Sequence, residues 1–361
     1  MKRTPLYNEH VRLGGRIVDF AGWELPVMYS SIVEEHTATR TRAGLFDVSH
    51  MGEISVRGKG AADYLSRLIP TRMDKLEQGK SMYSCFLNER GGVIDDLFIY
   101  MISDDDYYLV VNAGTKDKDF QWMNEHAVAG VDVVDLSDET AKIDIQGPGS
   151  DEILSDVLRD PAVTALRRFY YTGVRYNNHD IKVSKSGYTG ERGYELYVPN
   201  DAAVSLWNAL LEAGSGRGLK PAGLGARDSL RLEACYSLYG HELGDDITPV
   251  EGNIGWIISS SADYIGKAAA EKQKHNGAPR ELVYFELTGK GVPREGCRIL
   301  AGGDDIGYAT SAGFSPTMKK GIGFALVKSG AVKPGDPVAV VVRDRPIDAV
   351  LVNRPFYAFN G

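Results

Sequence analysis

The chain has 361 residues, of which 43% are hydrophobic, 25% charged and 9% aromatic, a balance that suits packed cores and excludes a disordered, collagen-like or disulfide-stapled chain. Because a single core stops growing at about 250–300 residues, two or three domains are expected. With 41 Lys plus Arg against 49 Asp plus Glu the net charge is −8, which argues against nucleic acid as a default partner, since phosphate binding asks for a basic surface.

Residues 15–60 read as irregular, with GGRIVDFAGWELPVMY forming short strands and turns before a polar helical stretch around Ser31–Arg42 and the loop DVSHMGE. From Ile54 to Val134 the pattern runs strand, helix (Gly60–Leu68), strand pair, strand, helix (Lys116–His126), strand, as in an α+β layer with an antiparallel sheet. Its central hairpin is MYSCFLNERGGVIDDLFIYMI, in which Asn88-Glu89-Arg90-Gly91-Gly92 separates two apolar runs and the glycines supply positive backbone angles. A second α+β block spans about Ala141 to Ser260. It opens with KIDIQ and GPGSDEIL, where Ser150, Asp151 and Glu152 suit a first helical turn, and two strands and two helices follow. Within it, Ala203, Val204, Trp207, Leu210 and Leu211 recur at helical spacing up to Gly214. A short helix and the polar stretch EKQKHNGAPR lead to a break near Pro279. From Glu281 to Tyr357 six short β-rich runs between Gly, Pro and Asp turns predict a small all-β barrel or sandwich.

No run approaches the roughly 18 apolar residues that cross a bilayer, and MKRTPLYNEHVRLGG has no apolar segment behind its cations, so neither a span nor a signal peptide is read. Cys85, Cys235 and Cys297 form no CxxC pair, and the histidines show no metal-ligand spacing, so neither a disulfide framework nor a metal site is expected. A GxxxxGK[ST] loop and a GxSxG elbow are both absent. The glycines of EAGSGRGLKPAG follow a helix instead of a strand, so a dinucleotide fingerprint is excluded as well.

The polar residues inside strands are the anomaly. In VIDDLFIYMI at least one of Asp95 and Asp96 must share an apolar face, and Asp96 alternates with Ile94, Phe98 and Tyr100. A partly buried carboxylate needs partners or a shifted pKa, which marks functional sites; a strand near its end, with both acids wet beside the hairpin, is the alternative. Asn112 closes YYLVVN, Glu195 interrupts GYELYV, and Tyr188 precedes a Thr-Gly turn; a helix cap, a solvated edge and simple packing are their alternatives. Arg227 and Arg231 lie one helical turn apart, suited to a carboxylate ligand or to a surface ion-pair network.

The segments DVSHMGE, LNERGGVIDDLFIY, SGYTGERGYELYV, GLGARDSLRLEACYSLYGHEL, TPVEGNIGW and IGYATSAGFSPTMKKGIGFALV, in this order and spacing, resemble the glycine-cleavage-system T proteins, a family of aminomethyltransferases. The resemblance extends from the first residues to NRPFY near Tyr357. It implies an α+β fold arranged as a three-domain cloverleaf around a channel for tetrahydrofolate. A first, folate-binding α+β domain would comprise 1–53 and 137–260, a second, ferredoxin-like α+β domain 54–136, a linker helix 261–280, and a distorted all-β barrel 281–361. The implied reaction moves an aminomethyl carbon from the lipoyl arm of H protein to tetrahydrofolate, giving 5,10-methylenetetrahydrofolate, ammonia and dihydrolipoyl H protein, with no metal, nucleic acid or membrane involved. The implied setting is the cytoplasm or, for a processed chain, the mitochondrial matrix.

By the same resemblance Asp96, in GGVIDDL, matches the family's essential acid, a carboxylate that stabilises positive charge on the one-carbon unit or moves a proton. Glu195 matches the acid for the donor edge of the pterin, Tyr83, Asn112 and Tyr188 match wall residues, and Arg227 matches an arginine near the folate. Met51 and Tyr357 carry over too, each with packing as its alternative. Rival relatives are a folate-dependent demethylase acting on a sulfonium compound, and non-catalytic folate-binding proteins whose KGCY motif is missing from ACYSLYGHEL. Flavin-linked dimethylglycine and sarcosine enzymes carry this module behind an oxidase domain, and no Gly-rich flavin segment precedes it here.

Overall fold

Side chains that alternate across two sheets build the framework. In the computed structural model, which describes residues 1–358, a five-stranded antiparallel sheet has the order Ser81–Leu87, Val93–Ser103, Asp106–Val111, Gly52–Arg57, Asp132–Asp135. One face sends Ile54, Val56, Leu97, Ile99, Leu109 and Val111 into a core closed by the helices Ala61–Leu68 and Lys116–Glu125. Burying each such side chain stabilises the fold by about 1.5–3 kcal/mol before chain entropy is counted.

A six-stranded sheet has the order Tyr171–Tyr176, His179–Ser184, Gly193–Pro199, Thr140–Gln146, Ala43–Asp47, Leu219–Pro221. It is antiparallel except for the pairing of Leu219–Pro221 with Ala43–Asp47. Ile143, Ile145, Leu196 and Val198 pack against Ile153 and Leu154 of one helix and Trp207 of another. The residues between these core positions point to the opposite side of each strand. There the two sheets meet: Tyr100, Tyr108 and Val110 of the first form one cluster with Tyr197 of the second, and the Tyr100 hydroxyl lies 3.1 Å from that of Tyr197.

The C-terminal strands close into a six-stranded barrel, because Arg280–Leu287 pairs with both Lys320–Lys328 and Arg345–Val352. The helix Leu224–Glu233 fastens it to the sheets. Leu232 and Cys235 pack on Ile322, Phe324 and Tyr284, and Arg231 donates to Ser311 Oγ at 2.9 Å. Among the described residues no helix is long and apolar enough to cross a membrane.

Local geometry departs from the sequence expectations at several points. In the central hairpin Leu87 opposes Val93 but Phe86 opposes Asp95, so Ile94 is the extra residue of a bulge. It turns into the helix-covered core with Leu97 and Ile99, while Val93 packs beside Cys85 and Leu87. Asp96 therefore shares its side of the strand with Val93, and not with Ile94. Gly91 has φ +82° as expected, but Gly92 does not; a Cβ there would lie 1.9 Å from the Asp245 carbonyl oxygen. Close approach, not backbone angle, requires that second glycine.

After the helix Ser150–Leu158 the block contributes three strands to the sheet before its next long helix, not two, because Tyr176 pairs with His179 across Asn177-Asn178. Asn177 takes φ +52°, a conformation Asn tolerates better than most residues, so the turn carries no glycine. On the helix Asn200–Gly214, Val204 faces solvent at 38% exposure, and the buried stripe is Ala202, Ala203, Leu206, Trp207 and Leu210.

Candidate active site

Asp96 is half-buried on the strand Val93–Ser103. Tyr83, on the neighbouring strand, donates its hydroxyl to Asp96 Oδ2 at 2.9 Å, and Asn112 Nδ2 donates to Oδ1 at 2.8 Å. Among the described residues no cation pairs with Asp96. Burial and the adjacent Asp95 charge raise its pKa to about 7, against the pull of the Tyr83 and Asn112 hydrogen bonds. Such a group stands near the midpoint between acid and base at neutral pH.

Asp95 points to the other side and is fully buried. It accepts the Asn112 backbone N–H at 3.0 Å and its Nδ2 at 2.9 Å. Asn112 thus joins the two acids, since Asp106–Val111 is the strand beside theirs and ends at it.

Aromatic rings surround this acid. Tyr83 stacks on Trp256 with centroids 5.9 Å apart and 27° between planes, and Phe98 lies 5.5 Å from Tyr83. Trp256 is 66% exposed, so a large apolar surface is open to water where it covers the residue that holds Asp96. Tyr188 donates its hydroxyl to the Ser237 carbonyl and stacks on Tyr236 at 5.8 Å and 28°. Its own pKa is raised out of the physiological range, chiefly by burial, and the Asp96 and Arg227 charges act on it from opposite directions.

Tyr188, close enough to feel the Asp96 charge, also adjoins a second polar group: the Arg227 guanidinium lies 4.8 Å over its ring. Arg227 donates to Asp144 at 3.2 Å, and Lys142, only 2% exposed, reaches Glu195 at 2.6 Å and Asp144 at 3.8 Å. Glu195 also accepts from Ser186, and lies 3.3 and 3.4 Å from the hydroxyls of Tyr100 and Tyr197. Burial raises the Glu195 pKa, but Lys142, the Ser186 hydroxyl and the Arg227 charge more than offset it, and the net direction is down. Asp144 goes the other way, to about 6, because burial outweighs its two cations. His50 is held neutral, its pKa lowered to about 3 by burial and by the Arg227 charge.

The fold therefore brings Tyr83, Asp96, Asn112, Tyr188 and Arg227 into one neighbourhood, with Glu195 behind Arg227. The acceptor directions of Glu195 are already used by protein donors, so a pterin edge would have to displace one of them. Met51 adjoins the same group, its Sδ 3.4 Å from Lys142 Nζ. Among the described residues Tyr357 is connected to it only through Arg40, which donates to the Thr189 carbonyl beside Tyr188. The Tyr357 ring lies 3.9 Å under Arg40, and its N–H donates to the Glu233 carbonyl at 2.9 Å, where Arg40 is also bound to Glu191. Arg231, whose guanidinium is tied to Asp228, Glu242 and Ser311, is spent on holding the barrel.

Sequence reasoning passed over Lys142, Asp144, Tyr236 and Trp256. The polar alternation of KIDIQ, read only as a strand opening, is the same signal that singled out Asp96. Among the described residues no three or more His, Cys, Asp or Glu side chains are placed to hold a metal ion.

Comparison with known proteins follows the same lines. The family described as "GCVT N-terminal domain" matches residues 6–262, and "Glycine cleavage T-protein C-terminal barrel domain" matches residues 280–358. A protein named Aminomethyltransferase from Caldanaerobacter subterraneus subsp. tengcongensis is 46% identical over 100% of this chain and 97% of its own. Its namesake from Geobacillus thermodenitrificans is 46% identical over 99% and 98%. The crystal structure of glycine cleavage system aminomethyltransferase T from Bartonella henselae superposes with a TM-score of 0.92 at 32% identity, covering 99% of this chain and 98% of that one.

Proposed function

The chain belongs to the glycine cleavage T-protein family, an enzyme family of aminomethyltransferases, and from that premise we propose that it moves an aminomethyl carbon from lipoylated H protein onto tetrahydrofolate. The observation that carries the reading is Asp96: a half-buried carboxyl without a cation, poised near neutrality, between Tyr83 and Asn112.

The residues present fit a reduced pterin. Aromatic walls of ring size stand near an acid whose charge is uncompensated, and such an acid is a strong acceptor for pterin N–H groups. Tyr83, Asn112, Tyr188 and Arg227 would hold the folate, with Met51 and Glu195 along the same wall. Tetrahydrofolate, when bound, supplies the two nitrogens that take up the carbon. As ammonia or thiol departs, positive charge gathers on that carbon, and the Asp96 carboxylate stabilises it more strongly than water would, because nearby rings lower the local dielectric. Tyr83 and Asn112 hold the carboxylate in place, so no reorganisation is needed when the charge appears. At its midpoint near 7 Asp96 is also able to take a proton from a folate nitrogen.

The bacterial origin of the relatives supports a cytoplasmic setting. The test is formation of 5,10-methylenetetrahydrofolate with aminomethyl-loaded, lipoylated H protein as donor. Turnover with a methylsulfonium donor and none with loaded H protein would overturn the reading.

A further inference from the structure

The helix Lys116–Glu125 begins four residues after Asn112; the Thr115 N–H donates to the Asn112 carbonyl and the Asp119 N–H to the Thr115 carbonyl, which turns the Asp119 carboxyl toward that of Asp95, and the two acids act directly on each other. Both side chains are fully buried. Asp95 accepts two N–H groups from Asn112, whereas neither Asp119 oxygen has an N–H donor; among the described residues the Thr115 hydroxyl, shared with Asp95, is the one protein donor acting on it. Two carboxylates facing each other away from water do not both stay ionised. The one supplied with N–H donors keeps the charge; the one without holds the proton, and its O–H donates to the other. Burial and the Asp95 charge push Asp119 up to about 10, in the same direction.

This pair reaches the reacting acid through Asn112. The Nδ2 group lies 2.9 Å from Asp95 Oδ1 and 2.8 Å from Asp96 Oδ1. With Asp95 ionised, a flipped amide would set its carbonyl oxygen against two acceptors, so the charge on Asp95 locks the orientation. The same charge raises Asp96.

We propose that Asp119 is a positioning residue: a neutral acid that donates to Asp95, keeps Asp95 ionised, and so sets both the orientation of Asn112 and the protonation state of Asp96. The inference rests on Asp96 being the reacting acid. The other ionisable groups around Asp96 are Tyr83, Cys85 and Tyr188, with Arg227 and Arg231 acting on Tyr188. Thr115, Lys118 and Tyr239 surround the acid pair, and Lys118 is turned toward Tyr239 and Asp245.

The experiment is carboxyl-carbon NMR of the full chain labelled with 13C-aspartate, the three resonances assigned by Asn substitutions. In the wild type, Asp119 should show a protonated carboxyl from pH 5 to 8 while Asp95 is ionised. Asp119→Leu removes the donor and shuts out water; Asp95 then takes up a proton, its repulsion of Asp96 disappears, and the Asp96 midpoint should fall by about one pH unit, a tenfold change. Asp119→Asn keeps a neutral donor and should keep the wild-type midpoint. A wild-type Asp119 that is ionised, or an unmoved Asp96 midpoint in a folded Asp119→Leu, overturns the inference; if the Leu variant does not fold, the wild-type spectrum decides. A purely structural role would lower stability without moving that midpoint. Failure here with Asp96→Asn inactive removes only this inference, whereas a fully active Asp96→Asn removes the reading beneath it.

Discussion

Replacing Asp96 with Asn removes one charge and almost nothing else. The amide oxygen still accepts from Asn112 Nδ2, now 2.8 Å from Oδ1, and the new NH2 faces the Tyr83 hydroxyl, which is 2.9 Å from Oδ2 and able to accept. The hydrogen-bond frame and the stacking walls stay, so folding and tetrahydrofolate binding should persist. The loss falls on the step in which the carbon becomes cationic. A unit charge about 4 Å away at an effective dielectric near 20 is worth roughly 4 kcal/mol. At about 1.4 kcal/mol per power of ten, kcat should fall by about three orders of magnitude. The variant should also be more stable than wild type at high pH. A carboxyl raised from 3.8 to about 7 on folding removes stability progressively as pH climbs from about 4 to 7. The full penalty, a few kcal/mol at most given its partial exposure, stands above 7 and is absent in the amide. Methylenetetrahydrofolate formation from loaded H protein, folate titration by fluorescence, and urea melts at pH 5 and 8 read the three quantities. A kcat within tenfold of wild type would refute the argument.

The pH dependence follows from the same group: kcat should rise with pH and level off above about 7 as Asp96 loses its proton, and a flat profile between 5.5 and 8.5 would contradict it. Lys142→Met leaves Glu195 and Asp144 buried with less cationic support, so urea denaturation should show a loss of about 3–5 kcal/mol, as for other broken buried pairs; a loss below 1 kcal/mol would show that Lys142 does not hold them. Trp256→Ala removes an exposed side chain and one stacking contact with Tyr83. The melting temperature should move little while the KM for tetrahydrofolate rises up to about tenfold, the worth of an aromatic pair; an unchanged KM would separate Trp256 from the folate.

Much of this framework was legible because it depends on local rules. The hairpin around Asn88–Gly92, the helices and the six barrel runs follow from periodicity and turn residues, and Asp95-Asp96 stood out because a strand cannot turn both acids to water. Ile94 was misplaced for the same reason that alternation is informative: one bulged residue reverses the side of those before it, and nothing in VIDDL marks a bulge. Tyr357, matched to the folate site by resemblance, stacks under Arg40, a contact between remote segments that no local pattern marks.

The amino-acid order alone determined which segments become strands and helices, where apolar faces form, and that at least one acid of the pair lies among apolar residues, for these are consequences of spacing along a single chain. Only the pairing of strands and the packing of the two sheets decided that Glu195 spends its oxygens on Lys142, Ser186 and Tyr197 and on Tyr100 of the other sheet, and that Asn112, at the end of the adjacent strand, bridges Asp95 and Asp96. Such partners lie up to 95 residues apart, and the charge state of a buried group is set by what surrounds it in space, whatever precedes it in the chain.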